Sequence, residues 1–359
     1  MPIFVVDTNR TELFGAALPT PNPHTMAAYA THIYEGCEFG CAYCSGWSLP
    51  RPLNESVRLV AEIAHKAHSE LASMPRQHIV GLTELSDPYQ PAEQQYRRTR
   101  AVLRVLAEYA QPVTIMTKSQ HVLDDAELLV HIAQRSFAMV IVSVVSHVVA
   151  VQQRLEDRCE STMARLDTVY QLKKLGIPVG VALQPLIPYL NDTDYAITQL
   201  LGLIAMSGAD FVYWDYLVMP NQRHRTRIAD TMTRVSEYPP AFLRDIYRDR
   251  AQIDATYRQE RDAFIVQQCD MLHLPLALPP ARYVSRVDAR QALQICLLQL
   301  AYRDRMLSRG VLAAHGAQLA AQVANSDVDG QTFASYAHYS TIHPLLVQAG
   351  LVADNTRMV

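Results

Sequence analysis

Three cysteines, Cys37, Cys41 and Cys44, stand in Tyr34-Glu35-Gly36-Cys37-Glu38-Phe39-Gly40-Cys41-Ala42-Tyr43-Cys44. This is a C-x3-C-x2-C run with an aromatic residue before the last thiol. Three thiolates this close can ligate one metal centre. A [4Fe–4S] cluster normally takes four cysteines, so three leave one iron without a protein ligand. An open iron can bind a small molecule and pass an electron into it. Closed structural zinc is a rival, but it wants four ligands, and no further C-x2-C pair or nearby histidine supplies them. Buried, chemically inert thiols are the other alternative. Disulfides fit poorly, because Met1-Pro2-Ile3-Phe4-Val5-Val6-Asp7 does not read as a secretory leader and Cys159, Cys269 and Cys296 are scattered singly on helix-like segments. Those three are expected to be buried apolar side chains.

Such a loop must be held by a sizeable fold. The chain has 359 residues, 49% of them hydrophobic, enough for one large α/β domain and an appendage. Net charge is −3 and the sequence pI is about 6.5. That balance lacks the broad basic surface that phosphate-backbone binding needs, so a small-molecule substrate is favoured over nucleic acid. Positive charge is mostly arginine; Lys66, Lys118, Lys173 and Lys174 are the lysines. No apolar run reaches transmembrane length, which predicts no membrane partner. Free thiolates around an oxygen-sensitive centre suit a reducing cytoplasm.

From residue 27 the chain alternates strand and helix patterns. Strands are expected at Tyr29–Tyr34, His78–Thr83, Pro112–Thr117, Ala138–Val145, Val179–Leu183 and Asp210–Val218. Helices are expected at Ser56–Ser73, Ala92–Ala110, Asp124–Ser136, Ser161–Leu175 (ending at Gly176) and Asp192–Met206, the last capped by Asn191 or Asp192. Alternation of this kind predicts parallel strands with helical crossovers, here a partial (β/α)6 TIM-like barrel over residues 27–219. Residues 1–26, with Pro19, Pro21 and Pro23, read as a lead-in that wraps the barrel. Residues 220–359 read as a mainly helical extension, with a long charged helix opening at Pro239 and an amphipathic one over Arg290–Ser308. In barrels of this class the chemistry sits at the C-terminal strand ends, where the cysteine loop falls.

Other polar residues fall at the same mouth. Glu84 and Ser86 follow the second strand and can accept hydrogen bonds from an ammonium group. A turn punctuated by Pro88 and Pro91 explains the same residues equally well. Lys118 ends the third strand, Ser143 lies on the fourth and Gln184 ends the fifth. A surface lysine and a satisfied core hydroxyl are the plainer readings of the first two. Arg154, Arg158 and Arg165 are expected in helix-surface salt bridges. Of Tyr213, Trp214 and Tyr216, two are expected in the core.

Taken in order, the cysteine loop, Ser-Asp-Pro-Tyr-Gln-Pro-Ala-Glu from Ser86, Pro-Val-Thr-Ile-Met-Thr-Lys-Ser from Pro112 and Gly-Ile-Pro-Val-Gly-Val-Ala-Leu-Gln-Pro from Gly176 resemble the spore photoproduct lyase-like branch of the radical S-adenosylmethionine (SAM) superfamily. The likeness covers about residues 30–220. It implies a [4Fe–4S] cluster on Cys37, Cys41 and Cys44 whose open iron chelates SAM, and an enzyme that cleaves SAM to a 5′-deoxyadenosyl radical. It further implies an electron donor such as flavodoxin or ferredoxin. By the same resemblance Ser86 holds the SAM amino group with Glu84 near it, Lys118 the carboxylate, Ser143 the ribose, and Tyr43 stands beside the cluster. Gln184 points a polar group toward the mouth. Two departures matter. The lyases carry a hydrogen-donating cysteine just before the Ser-Asp pair, where this chain has Thr83-Glu84-Leu85, and a tyrosine after the third cluster cysteine, where it has Ser45. Repair or modification of a nucleic acid base is therefore the alternative, and a small-molecule substrate the expected one.

Overall fold

The computed structural model describes residues 3–6, 12–18, 20–31, 33–49, 55–82, 86–235, 241–248, 250–325 and 330–352. The strands among them are β1 (Ile3–Val6), β2 (Tyr29–Ala30), β3 (Tyr34–Glu35), β4 (Val57–Val60), β5 (Val80–Leu82), β6 (Val113–Thr117), β7 (Ala138–Val144), β8 (Val179–Leu186) and β9 (Phe211–Tyr216). Six of them form one parallel sheet in the order β2-β5-β6-β7-β8-β9. Each strand lies beside the next sheet strand in the chain, as short helical crossovers require. All of Ala138–Val144 is buried, which is why β7 reads as an unbroken apolar run rather than an alternating one.

The crossovers are α2 (Pro91–Tyr96) with α3 (Arg98–Tyr109), α4 (Ala126–Arg135), α5 (Val149–Leu155) with α6 (Thr162–Lys174), and α7 (Asp194–Met206); α1 (Ile63–Leu71) precedes β5. Ser161 caps α6 by accepting from the Ala164 amide, and Gly176, at φ +79°, ends the turn that follows it. The rest is helical: α8 (Gln222–Val235), α9 (Ala241–Tyr247), α10 (Ala255–Met271), α11 (Ala289–Met306), α12 (Gly310–Ala324) and α13 (Tyr339–Gln348). Among the described residues no helix is long and apolar enough to cross a membrane.

Several local expectations are corrected. The strand expected at Tyr29–Tyr34 is split, and only its first part joins the large sheet. The helix expected over Ser56–Ser73 begins as strand β4, which pairs with β1 and β3 in a separate three-stranded sheet; the helix is confined to Ile63–Leu71. Arg97, at φ +52°, breaks the helix expected over Ala92–Ala110 into two. Thr193, not Asn191 or Asp192, caps α7. Asn191 instead donates to the Val145 and Pro185 carbonyls, and Asp192 accepts from the Tyr189 amide. Pro239 lies outside the described residues, and the long charged helix is α10, with 17 residues.

The edges of the large sheet are β2 and β9, and α11 bridges them. Gln291 accepts from the Ile79 amide and donates to the Met26 carbonyl, while the Tyr302 hydroxyl meets the Trp214 backbone at 3.3 Å. The Val212 amide donates to Pro275, so β9 presents little unpaired backbone. With neighbours on several sides, α11 is buried around most of its circumference rather than amphipathic as expected. Inside the sheet the Phe211 ring lies over Gly180, where an added Cβ would come within 2.2 Å of the ring.

Candidate active site

The C-terminal strand ends surround a cavity of about 380 Å³. Cys37, Cys41, Tyr43 and Cys44 border it from the cysteine loop, Ser86 and Asp87 from after β5, Lys118 from the end of β6, Ser143 from β7 and Gln184 from β8. Register shifts between Leu183 and Leu186, so the β8–β9 ladder is irregular where Gln184 sits. Every expected site residue except Glu84 thus borders one space; Glu84 lies outside the described residues.

The loop is held by contacts from distant parts of the chain. Gly36 (φ +101°) and Gly40 (φ +60°) supply the left-handed turns flanking Cys37. Gln90, fully buried, accepts from the Glu38 amide at 2.9 Å and donates to the Gly36 carbonyl at 3.1 Å. The Ser86 hydroxyl donates to the Tyr34 carbonyl at 3.0 Å. The Trp47 indole donates to the Cys41 carbonyl at 3.0 Å, and Arg227 to that of Ala42 at 3.2 Å. His224 Nε2 lies 3.1 Å from the Tyr43 carbonyl, and Asn221 donates to that of Ser48 at 2.9 Å. Helix α8 therefore secures the loop through two carbonyls, those of Ala42 and Tyr43, and Asn221 just before it holds Ser48.

Charge is arranged around the thiols. Burial first, then the charges of Asp87 and Cys41, push Cys37 up to about 12. A hydrogen bond from Cys159, whose sulfur is 4.0 Å away, draws Cys41 down against its burial, with help from Lys118. Burial alone would depress Lys118, but Cys41, Glu156, Cys159 and Asp87 together raise it, so it is a fixed cation. Asp87 is pushed up by burial despite accepting from the Thr117 hydroxyl at 2.6 Å and the Lys118 amide at 2.7 Å. Those bonds set the backbone from which Lys118 projects.

Among the described residues no three His, Cys, Asp or Glu side chains converge on one point as a single metal ion would require. A four-iron cluster asks for less convergence, because each thiolate takes its own iron. Three thiols facing a common cavity with an ammonium beside them fit that demand.

Behind the wall lies a buried ionic chain that sequence reasoning missed. The Tyr43 hydroxyl donates to Glu156, and Glu156 pairs with Arg165; neither member of the pair has exposed side-chain area. Arg165 also donates to the Ser143 and Glu160 carbonyls, both at 2.8 Å. Arg165 is thus a buried partner rather than a surface one. Arg154 and Arg158 make no ion pair among the described residues; they donate to the carbonyls of Arg234 and Glu38. Cys269 and Cys296 are buried as expected, but Cys159 is half-buried beside Cys41. Tyr213, Trp214 and Tyr216 are all buried, and Tyr216 also borders the cavity. Asp87 could have been found, since it adjoins Ser86; Glu156, Arg165, Trp47 and His224 carry no local signal.

Comparison with known proteins gives the chain its relatives. A model of the Radical SAM superfamily matches residues 31–201. The uncharacterized protein Rv2578c of Mycobacterium tuberculosis is 27% identical over 264 residues, 65% of this chain and 76% of that protein. The uncharacterized protein MJ0683 of Methanocaldococcus jannaschii is 24% identical over 200 residues, 55% of this chain and 73% of that protein. Among solved structures, spore photoproduct lyase complexed with dinucleoside spore photoproduct superposes with a TM-score of 0.54 at 15% identity, covering 75% of this chain and 78% of the lyase. A variant of that lyase with bound AdoMet gives 0.55 at 14% identity, covering 75% and 78%. The fold is shared at that distance. Over residues 31–201, the stretch that holds the cysteine loop and strands β3 to β8, the chain is similar to the radical SAM superfamily, whose cofactors are a [4Fe–4S] cluster and S-adenosylmethionine.

Proposed function

We propose that this protein is an enzyme that cleaves SAM reductively at a cluster held by Cys37, Cys41 and Cys44 and takes a hydrogen atom from a small-molecule substrate. The observation that carries the reading is the meeting of three thiols, a fixed ammonium and strand-end polar groups on one cavity. When bound, the cluster and SAM supply a one-electron cleavage to methionine and a 5′-deoxyadenosyl radical. The chain's own residues bind, orient and shield. Lys118 meets the SAM carboxylate with a charge that persists through neutral pH. Ser86 gives its hydrogen to Tyr34, which leaves its lone pairs for the SAM ammonium, with Glu84 as a second acceptor. Ser143 and Gln184 take the ribose and the far end of the nucleoside, and Tyr43 lines the cluster side. Phe39, Met116, Leu217 and Val218 keep water from the reacting carbon.

A second cavity of about 480 Å³ shares Gln184 and Asp215 with the first and is lined by Tyr213, Trp214 and Tyr302. It gives a substrate of small-molecule size a place beside the nucleoside. A net charge of −3 and the absence of cysteine at residues 83–85 weigh against a nucleic-acid lesion. The electron comes from a carrier such as flavodoxin or ferredoxin, and an oxygen-sensitive centre suits a reducing cytoplasm. Anaerobic reconstitution followed by dithionite and SAM tests the reading. 5′-Deoxyadenosine should appear, and should vanish in Cys41→Ala. Material with about four irons per chain that forms none refutes it.

A further inference from the structure

The cysteine loop also borders a second space. Between α5 and α8 lies a cleft of about 660 Å³ whose floor includes Gly40, Ala42 and Trp47. Among the described residues Gly40 is the one it shares with the SAM cavity. Arg154, Arg158, Arg223, Arg227 and Arg234 line it, against Asp157 and Asp230. Five cations and two anions concentrate positive charge in a chain whose net charge is −3. Among the described residues only Arg223 has an ion pair, a long one to exposed Glu55 at 4.0 Å. The Arg227 guanidinium lies 3.6 Å over the Trp47 ring, and that indole donates to the carbonyl of Cys41. One aromatic ring therefore spans from the arginine cleft to the backbone of a cluster ligand.

We propose that this cleft docks the protein that reduces the cluster, a small acidic one-electron carrier. The proposal rests on the reading of the cysteine site given above. One electron leaves the reduced carrier, which is oxidised by one electron, and converts [4Fe–4S]2+ to [4Fe–4S]+; no atom or proton is transferred. Position decides the class of partner. A substrate must touch the reacting carbon in the SAM cavity, and the cysteine loop stands between that cavity and the arginines. An electron needs only closeness to the cluster, which the cleft provides. Redox encounters use small interfaces and depend on charge steering, and a ring of guanidiniums suits carboxylates on the carrier.

The test uses the cluster-loaded protein and an acidic flavodoxin in its fully reduced form. Arg223→Glu with Arg234→Glu reverses two exposed charges whose side chains do not bond the cysteine loop. The rate of cluster bleaching by flavodoxin at low salt should fall by about tenfold or more, and its salt dependence should flatten. Anisotropy of labelled flavodoxin should show the same loss of affinity. Reduction by dithionite, and the 5′-deoxyadenosine it yields, should not change; Arg223→Gln with Arg234→Gln should fall between. An unchanged flavodoxin rate overturns the proposal, as does an equal loss with dithionite. So does a variant that loses affinity for a single-stranded oligonucleotide while keeping its flavodoxin rate. Bleaching and anisotropy do not require SAM, so failure of SAM cleavage leaves the docking result readable.

Discussion

Replacing Arg165 by methionine should unfold the cavity wall energetically before it changes any residue on the surface. The guanidinium donates to Glu156 and to two carbonyls, and the Arg165–Glu156 pair has no exposed side-chain area. Methionine nearly keeps the length and removes every donor. Glu156 is then a buried carboxylate with the Tyr43 hydroxyl as its remaining donor. Breaking a buried pair from one side costs about 3–5 kcal/mol, because the abandoned charge stays desolvated. Glu156→Leu should cost a similar amount from the other side. The double variant should return to within about 2 kcal/mol of the parent, since both desolvation terms disappear together. Anaerobic urea unfolding followed by circular dichroism measures all four corners of the cycle. A single variant that costs less than about 1 kcal/mol, or a double variant that costs the sum of the singles, refutes the reasoning.

Three further outcomes are expected. Lys118→Ala should weaken SAM binding to the reconstituted protein by about tenfold or more in equilibrium dialysis, and unchanged affinity would remove Lys118 from the carboxylate. His24 is stacked on Tyr213 at 4.0 Å, and burial, then the charge of Arg305, hold its pKa down at about 3 against 6.5. It stays neutral when folded and takes a proton on unfolding, so its stabilisation is complete above pH 6.5 and drains away as pH falls toward 3. Between pH 7 and 5 the parent should lose about 2 kcal/mol more stability than His24→Phe in urea titrations; parallel curves would show that His24 titrates normally. Gly180→Ala would push a Cβ into the Phe211 ring and should cost about 1–3 kcal/mol, partly recovered when Phe211→Leu is added. A thermal midpoint unaffected by Gly180→Ala would mean the ring has room to move.

Strands β5 to β9 were legible because each is a short buried run between helix-period segments, and period and length are local properties. The cysteine loop was legible because ligand spacing is local too. Strand β4 was not. Val57, Leu59, Val60 and Ile63 fit a helical stripe as well as a strand, and only pairing with Ile3–Val6 and Tyr34–Glu35 decides between them. The burial of Arg165 depends on Glu156 and on the Ser143 carbonyl behind it, and Cys159 gains its importance only from the fold that sets it beside Cys41. Position in three dimensions made these residues, and no window of sequence contains it.

The grip of α8 on the cysteine loop has a consequence for how the protein is made. His224 and the Tyr43 carbonyl it steadies are 181 positions apart. A ribosome delivers the N-terminal end first, so all three thiols emerge long before the helix that fixes their backbone. During that interval the loop is a slack tether, without its clasp. On the function proposed above, iron delivered then would meet sulfurs with no fixed spacing, and a cluster there would be best installed late, after residues 221–227 have left the exit tunnel and closed over the loop.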